Sequence, residues 1–286
     1  MPQDFDRREQ TMFDELKNYR EYLSVHPIHE LFGIDLEKYG NVDRKQEFTT
    51  YQKVDPDETE PYPAELDDLI RLHYLVITRK VTTILEFGVG KSTVVFNHAL
   101  DANRKRYGKF VSDNLRRSNP FECHTVDTGA EWLDEVRTKF DTPNVKYYLA
   151  QCEVATFGDR ICTFYDPLPN VCPDLIYLDA PDQYSPRGDV RGMSTSHKDR
   201  FPMAGDILAF EHFLLPGTLI VVDGRTANAR FLRLNLQRDW TYSHSVEFDQ
   251  HYFELTEEPL GVYNRRQIDF CLGNEFYVRV RARSGL

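Results

Sequence analysis

The chain predicts an α/β fold: a doubly wound, mostly parallel sheet with an antiparallel C-terminal finish and an N-terminal helical extension. Three observations carry this. Five apolar runs recur, "VTTILEF" (81–87), "FECHTVD" (121–127), "NVKYYLA" (144–150), "DLIYLD" (174–179) and "GTLIVVD" (217–223). Amphipathic stretches separate them, with "STVVFNHALDANRKRY" after the first, "AEWLDEVRTKF" after the second and "AGDILAFEHFLL" before the fifth. Continuous apolar strands alternating with helices form βαβ units, whose parallel sheet is covered on both faces. Lastly, the second, fourth and fifth runs each close on an aspartate: Asp127, Asp179 and Asp223.

In chain order, residues 1–60 read as a helical extension and linker, and 61–286 as the main domain. Within the extension, "FDELKNYREYL" (13–23) places Phe13, Leu16, Tyr19 or Arg20, and Leu23 on one helical stripe, the pattern of a packed cap. Pro, Asp and Glu crowd "VDPDETEPYP" (54–63), which reads as a linker. "PAELDDLIRLHYLVITRK" (63–80) reads as a helix, with Pro63 near its start and basic residues at its end, matching the macrodipole. The tail runs "TYSHSVEF", "HYFEL" and "QIDFCLG" read as short strands that finish the sheet.

Composition narrows the function classes. A net charge of -11 argues against nucleic acid as a partner, because a phosphate backbone asks for a basic stripe. The clusters Arg104-Lys105-Arg106 and Arg116-Arg117 read as solvated faces. Five cysteines without a CxxC pair fit neither a disulfide framework nor a structural zinc site. The first residues are polar and acidic, and no apolar run approaches the roughly 20 residues of a membrane helix. These features predict a cytoplasmic protein with reduced thiols, and the amphipathic extension is of a kind that packs on a partner subunit in homo-oligomers.

"ILEFGVGKST" (84–93) resembles a phosphate loop at first sight. A Walker A loop needs glycine at the first of its eight positions, and Leu85 stands there, inside the strand. The unit that remains is Glu86-Phe87-Gly88-Val89-Gly90, two glycines after a strand and before a helix. Such a pair permits a tight turn and close backbone approach to a ligand.

With Asp127, Asp179 and Asp223 at later strand ends, this order of motifs resembles the class I S-adenosylmethionine-dependent methyltransferases over roughly residues 61–255. The resemblance implies a Rossmann-like sheet and S-adenosylmethionine as cofactor. It further implies cofactor contacts from Glu86, Gly88, Gly90, Lys91 and Ser92, from Asp127 on the ribose hydroxyls, from Glu153 near adenine, and from Asp179. The interval from Gly90 to Asp127 exceeds the roughly 20 residues of a compact unit, so an insertion is expected over 101–119. A dinucleotide would use the same Asp127, but its fingerprint wants a third glycine where Thr93 stands, and an acidic Glu86 suits a sulfonium better than a pyrophosphate. A nicotinamide-dependent oxidoreductase and a non-catalytic cofactor-binding protein are the alternatives.

The chemistry is expected beyond the carboxyl ends of the strands, where ligands of doubly wound sheets bind. Methyl transfer to a hydroxyl of a small molecule or sugar needs a proton acceptor, for which Asp179, His197 and Asp223 are the candidates. Arg225 and Arg230 are candidates for gripping an anionic part of the substrate. Asp179, Asp182 and Asp223 together would suit Mg2+, a hard cation that takes oxygen ligands. No nucleic-acid or membrane partner is expected.

Overall fold

A computed structural model describes residues 12–39, 42 and 65–284. The linker expected over 54–63, with Pro63, lies outside the described residues.

Strands β1 (Thr83–Phe87), β2 (Glu122–Asp127), β3 (Val145–Leu149), β6 (Leu175–Leu178) and β7 (Leu219–Asp223) coincide with the five apolar runs. β8 (Trp240–Ser245) and β9 (Gln250–Leu255) complete a seven-stranded sheet of order β3-β2-β1-β6-β7-β9-β8. Pairing is parallel from β3 across to β7, and β9 is antiparallel to both neighbours. The strand order reverses between β1 and β6, which opens a crevice beyond their carboxyl ends. This is a mostly parallel, Rossmann-like sheet.

Alternate residues of the strands feed two cores, as the pleat requires. One face, with Ile84, Cys123, Tyr177 and Val221, packs on α3 (Leu66–Thr78) and α4 (Lys91–Asn114) through Leu72, Val76, Phe96 and Leu100. The opposite face, with Leu85, Phe87, Val126, Leu178 and Val222, packs on α6 (Gly205–Phe210) and α7 (Thr226–Asn235) through Ile207, Leu208, Ala229 and Leu232. Helix α5 (Ala130–Lys139) joins β2 to β3.

Four features differ from the sequence expectations. The stripe over 13–23 is broken, because Asn18 caps a new helix, α1 (Tyr19–Val25), by accepting the Glu21 amide at 3.0 Å. The short helix α2 (Leu36–Tyr39) follows it. The insertion expected over 101–119 is mostly the second half of α4, a single helix of 24 residues. A hairpin of β4 (Gln151–Phe157) and β5 (Arg160–Asp166) forms a separate two-stranded sheet that the apolar runs do not announce. "QIDFCLG" is not a strand but the end of α8 (Val262–Cys271), followed by α9 (Asn274–Ser284). Its apolar residues Ile268, Leu272, Phe276 and Val280 fall every fourth position and make one small core, a helical period that two-residue alternation mimics over a short window.

Arg117 also departs from its expectation. Its side chain is buried and bonds Thr82, Thr83 and the Cys172 carbonyl, so it is an internal clamp and not a solvated face.

Candidate functional site

The glycine turn after β1 is set by crowding on one side and open space on the other. Gly88 has φ +102°, and a Cβ there would stand 2.9 Å from Ala180 Cβ. Only glycine tolerates both conditions. Gly90 is extended, with φ -177°, and a Cβ there would meet no atom within 4 Å. The chain itself gives no reason for glycine at 90, while a ligand approaching the backbone does.

Glu86 does not face that space. It shares the α4 side of the sheet with Ile84 and is fully buried, accepting hydrogen bonds from Ser92 Oγ at 2.6 Å and Thr93 Oγ1 at 2.7 Å. Thr93 Oγ1 in turn accepts the Gly90 amide at 2.9 Å. Burial pushes the Glu86 carboxyl up to about 7, against these hydrogen bonds. Glu86 and Ser92 thus pin the loop to the first turn of α4. Lys91 opens α4, partly buried, and burial lowers its ammonium while Glu135 opposes the shift.

Asp127 closes β2 and holds the other side of the loop. Its Oδ2 accepts the Val89 amide at 2.9 Å and its Oδ1 the Gly129 amide at 2.8 Å. The Thr128 amide is a third backbone donor to the carboxylate, which with about four acceptor positions retains capacity for a further hydroxyl donor. Burial moves its pKa upward, against the backbone amides.

Across the switch, Asp179 and Asp223 border a cavity of about 160 Å³, together with Glu65, Asp68, Gly224, Phe248 and Asp249. Asp179, at the end of β6, is 51% exposed and accepts Arg225 Nε at 3.3 Å. Arg225 also donates to the Pro181 carbonyl at 2.6 Å, so its guanidinium orders the rim. Asp223, at the end of β7, accepts the Tyr177 hydroxyl at 2.7 Å. Burial first and the Asp179 charge second push Asp223 up to about 6. Asp249 sits in the β8–β9 turn at φ +50°, with its carbonyl accepting the Gly224 amide.

Beneath the cavity lies Arg71, fully buried on α3. It bonds Asp67 and the Tyr19 hydroxyl at 3.0 Å each, pairs with Asp68, and lies 3.9 Å over the Phe248 ring. Arg71 is committed to these partners, and five carboxylates border the cavity itself, so its potential is negative.

Other expected site residues stand elsewhere. Asp182 commits both oxygens to its own turn, taking the Tyr184 and Ser185 amides and the Ser185 hydroxyl. Among the described residues, Asp179, Asp182 and Asp223 therefore do not assemble into one metal cage. His197 is half-exposed in the loop after β6, where its Nδ1 accepts the Asp199 amide at 3.2 Å, and it does not border the cavity. Glu153 is exposed on β4, paired with Phe164 of the hairpin. Arg230 is exposed on α7 and is likewise absent from the cavity wall.

Two groups among the described residues bring three ligand-type atoms within 4.8 Å, Glu65-Asp67-Asp68 and His244-Asp249-His251. The first contains both carboxylates that neutralise Arg71. In the second, the Thr226 and Tyr242 hydroxyls occupy both His251 nitrogens, and the His244 and His251 rings stack face to face at 3.9 Å. In-plane lone pairs of stacked rings do not converge on one ion.

Residues that sequence reading missed come from long-range packing. Glu65 and Asp68 arrive with α3 and Phe248 and Asp249 on the β8–β9 turn, while Tyr165 of the β4–β5 hairpin packs on Phe87 at the end of β1. Only the hairpin had a sequence signal, the alternation of exposed Gln151 and Glu153 with buried Cys152 and Val154, followed by Gly158 at φ +60°.

The fold is a mostly parallel, Rossmann-like sheet with a crevice at its switch point. No family model and no curated protein matches the chain. Among solved structures it is similar to the O-methyltransferase TomG from Streptomyces achromogenes, solved in complex with SAM. The identity is 13%, over 68% of this chain and 81% of that one, with a TM-score of 0.36. A likeness of that size carries no argument about the site, which rests on its own geometry.

Proposed function

We propose that this protein is an S-adenosylmethionine-dependent methyltransferase that acts on a hydroxyl of a small molecule or sugar. The observation that carries the reading is the pairing of an open Gly90 in the loop after β1, at the β1/β6 switch, with an acid-lined cavity at the ends of β6 and β7 bordered by Asp179 and Asp223. A sulfonium nucleoside carries a positive centre and an ammonium group, both of which such a potential attracts. A dinucleotide would bring a pyrophosphate to the same place and be repelled.

The residues present fit that cofactor. Asp127 would hold the ribose hydroxyls, Gly90 would leave room for backbone approach, and the amino end of the 24-residue α4 would favour the cofactor's carboxylate through the helix dipole. When bound, the cofactor supplies an electrophilic methyl group. The chain must then align an acceptor oxygen in line with that methyl and take its proton. Asp223 suits the proton transfer, because it borders the cavity, Tyr177 fixes its orientation, and it is ionised just above pH 6. Asp179, clamped by Arg225, would orient the acceptor hydroxyl and restrain the rim. The expected magnesium trio does not fit this geometry.

Transfer of a labelled methyl group from S-adenosylmethionine to a panel of hydroxyl-bearing small molecules and sugars tests the reading. Asp179→Asn should lower turnover and spare cofactor affinity; undiminished turnover removes Asp179 from the mechanism. Absence of transfer to every acceptor, with cofactor still bound, would favour a non-catalytic binding protein.

A further inference from the structure

The β4–β5 hairpin brings to the carboxyl end of β1 one side chain that the proposed chemistry has not used. Tyr165, second from the end of β5, is 6% exposed, and among the described residues its hydroxyl is buried with no hydrogen-bond partner. Its backbone is secured, since its amide donates to the Asp206 carboxylate at 3.2 Å and its strand partner is Cys152. Its ring packs against Phe87, the last residue of β1, at 5.5 Å between centroids. Phe87 leads directly into the glycine turn at Gly88, so the phenol ring lies against the carboxyl end of β1, within electrostatic range of Asp127 and Arg225.

A buried hydroxyl without a partner costs about 1–3 kcal/mol relative to a satisfied one. Phenylalanine would fill the same packing position without that cost, so the fold alone gives no reason for the hydroxyl. The surroundings also restrict what it can do. Burial raises its pKa well above the ordinary phenol range, and the charges of Cys152 and Asp127 add to this, so the group stays a neutral donor.

We infer that the Tyr165 hydroxyl is a ligand contact, donating a hydrogen bond to an acceptor atom of the nucleoside cofactor bound between Asp127 and the Asp179–Arg225 rim. This rests on the cofactor reading above and adds to it a specificity-determining residue from outside the parallel sheet. The hairpin then acts as the roof of the cofactor site. It is held down by the following loop, whose Arg187 exchanges backbone bonds of 2.8 Å with Cys152 and Val154.

The test compares wild type with Tyr165→Phe by calorimetric titration of S-adenosylhomocysteine and by thermal unfolding without ligand. Loss of one such bond should weaken S-adenosylhomocysteine binding roughly tenfold, within the range of buried hydrogen bonds. The midpoint of unfolding without ligand should hold or rise, because the variant no longer buries an unsatisfied hydroxyl. Equal affinity in the two proteins overturns the inference alone and leaves the cofactor reading standing. A lower midpoint together with equal affinity would make the hydroxyl structural. If wild type binds no S-adenosylhomocysteine, the cofactor reading falls and this inference falls with it.

Discussion

The Tyr177 hydroxyl donates a 2.7 Å hydrogen bond to Asp223 Oδ2, joining the end of one parallel strand to its neighbour. That bond favours the ionised carboxylate, while burial and Asp179 oppose it. Its removal by Tyr177→Phe should raise the Asp223 pKa. For a group that must be ionised to accept a proton, kcat/KM is low below about pH 6 and rises through it. The Phe variant should move this acidic limb upward by up to about one unit, with cofactor affinity preserved. Asp223→Asn should cost on the order of 10²–10⁴-fold in kcat. A pH–rate profile with an unchanged limb in Tyr177→Phe would separate Tyr177 from the proton transfer.

The two glycines should respond oppositely to alanine. At position 88 the positive φ and the 2.9 Å approach to Ala180 both forbid a methyl, so Gly88→Ala should destabilise the fold by about 1–3 kcal/mol. At position 90 the backbone is extended and the space is empty, so Gly90→Ala should leave the unfolding midpoint nearly unchanged. Its effect should fall on the ligand, weakening S-adenosylhomocysteine by about tenfold or more. Denaturant unfolding and calorimetric titration of both variants give the comparison.

Glu86 makes a prediction about stability against pH. Its carboxyl titrates near 7 in the fold and near 4.5 in the unfolded chain. The native state therefore holds the proton more tightly, so the contribution is fully present below 4.5 and is lost as pH rises to about 7. Glu86→Gln keeps the shape and removes that titration. Relative to wild type, the variant should gain stability between pH 4.5 and 7.5 by about 1–3 kcal/mol. Chemical denaturation at both pH values measures the difference, and a constant difference would show that Glu86 does not titrate in this window.

The N-terminal helix should loosen in acid. His73 is fully buried, with Nδ1 2.7 Å from the Tyr22 hydroxyl and Nε2 2.9 Å from His98 Nδ1. Burial, with His98 and His26 adding to it, lowers its pKa well below 6.5. Here the sign is reversed: stability is fully present above about pH 6.5 and is lost as pH falls, by up to about 1.4 kcal/mol per pH unit. Hydrogen-exchange protection factors over Tyr19–Val25, corrected for the intrinsic pH dependence of exchange, should fall between pH 7.5 and 5.5, and His73→Gln should flatten that response.

Much of the sheet was legible because strands buried on both faces read as continuous apolar runs, and each such run became a strand. The same runs located Asp127, Asp179 and Asp223, since a strand's last residue sits at the sheet's carboxyl edge whatever covers the faces. Side-chain direction was less legible. Glu86 belongs to the glycine loop in sequence, yet the pleat turns it under α4, where Ser92 and Thr93 take both its oxygens. Tyr165, Glu65 and Asp249 were beyond reach for a different reason. Each comes to the crevice on an element packed from a distant part of the chain, and no local period records that meeting. The helix ending at Cys271 reads as a strand because Ile268, Phe270 and Leu272 alternate, while Ile268 and Leu272 also keep the helical spacing of four.

A sulfonium-nucleoside site is best tested by titrating the purified protein with S-adenosylhomocysteine and, separately, with NADH. Saturable one-to-one binding of the sulfonium-derived nucleoside is expected, weakened in Gly90→Ala, with no heat from the dinucleotide. Tight binding of NADH with no response to S-adenosylhomocysteine would contradict the assignment of this crevice.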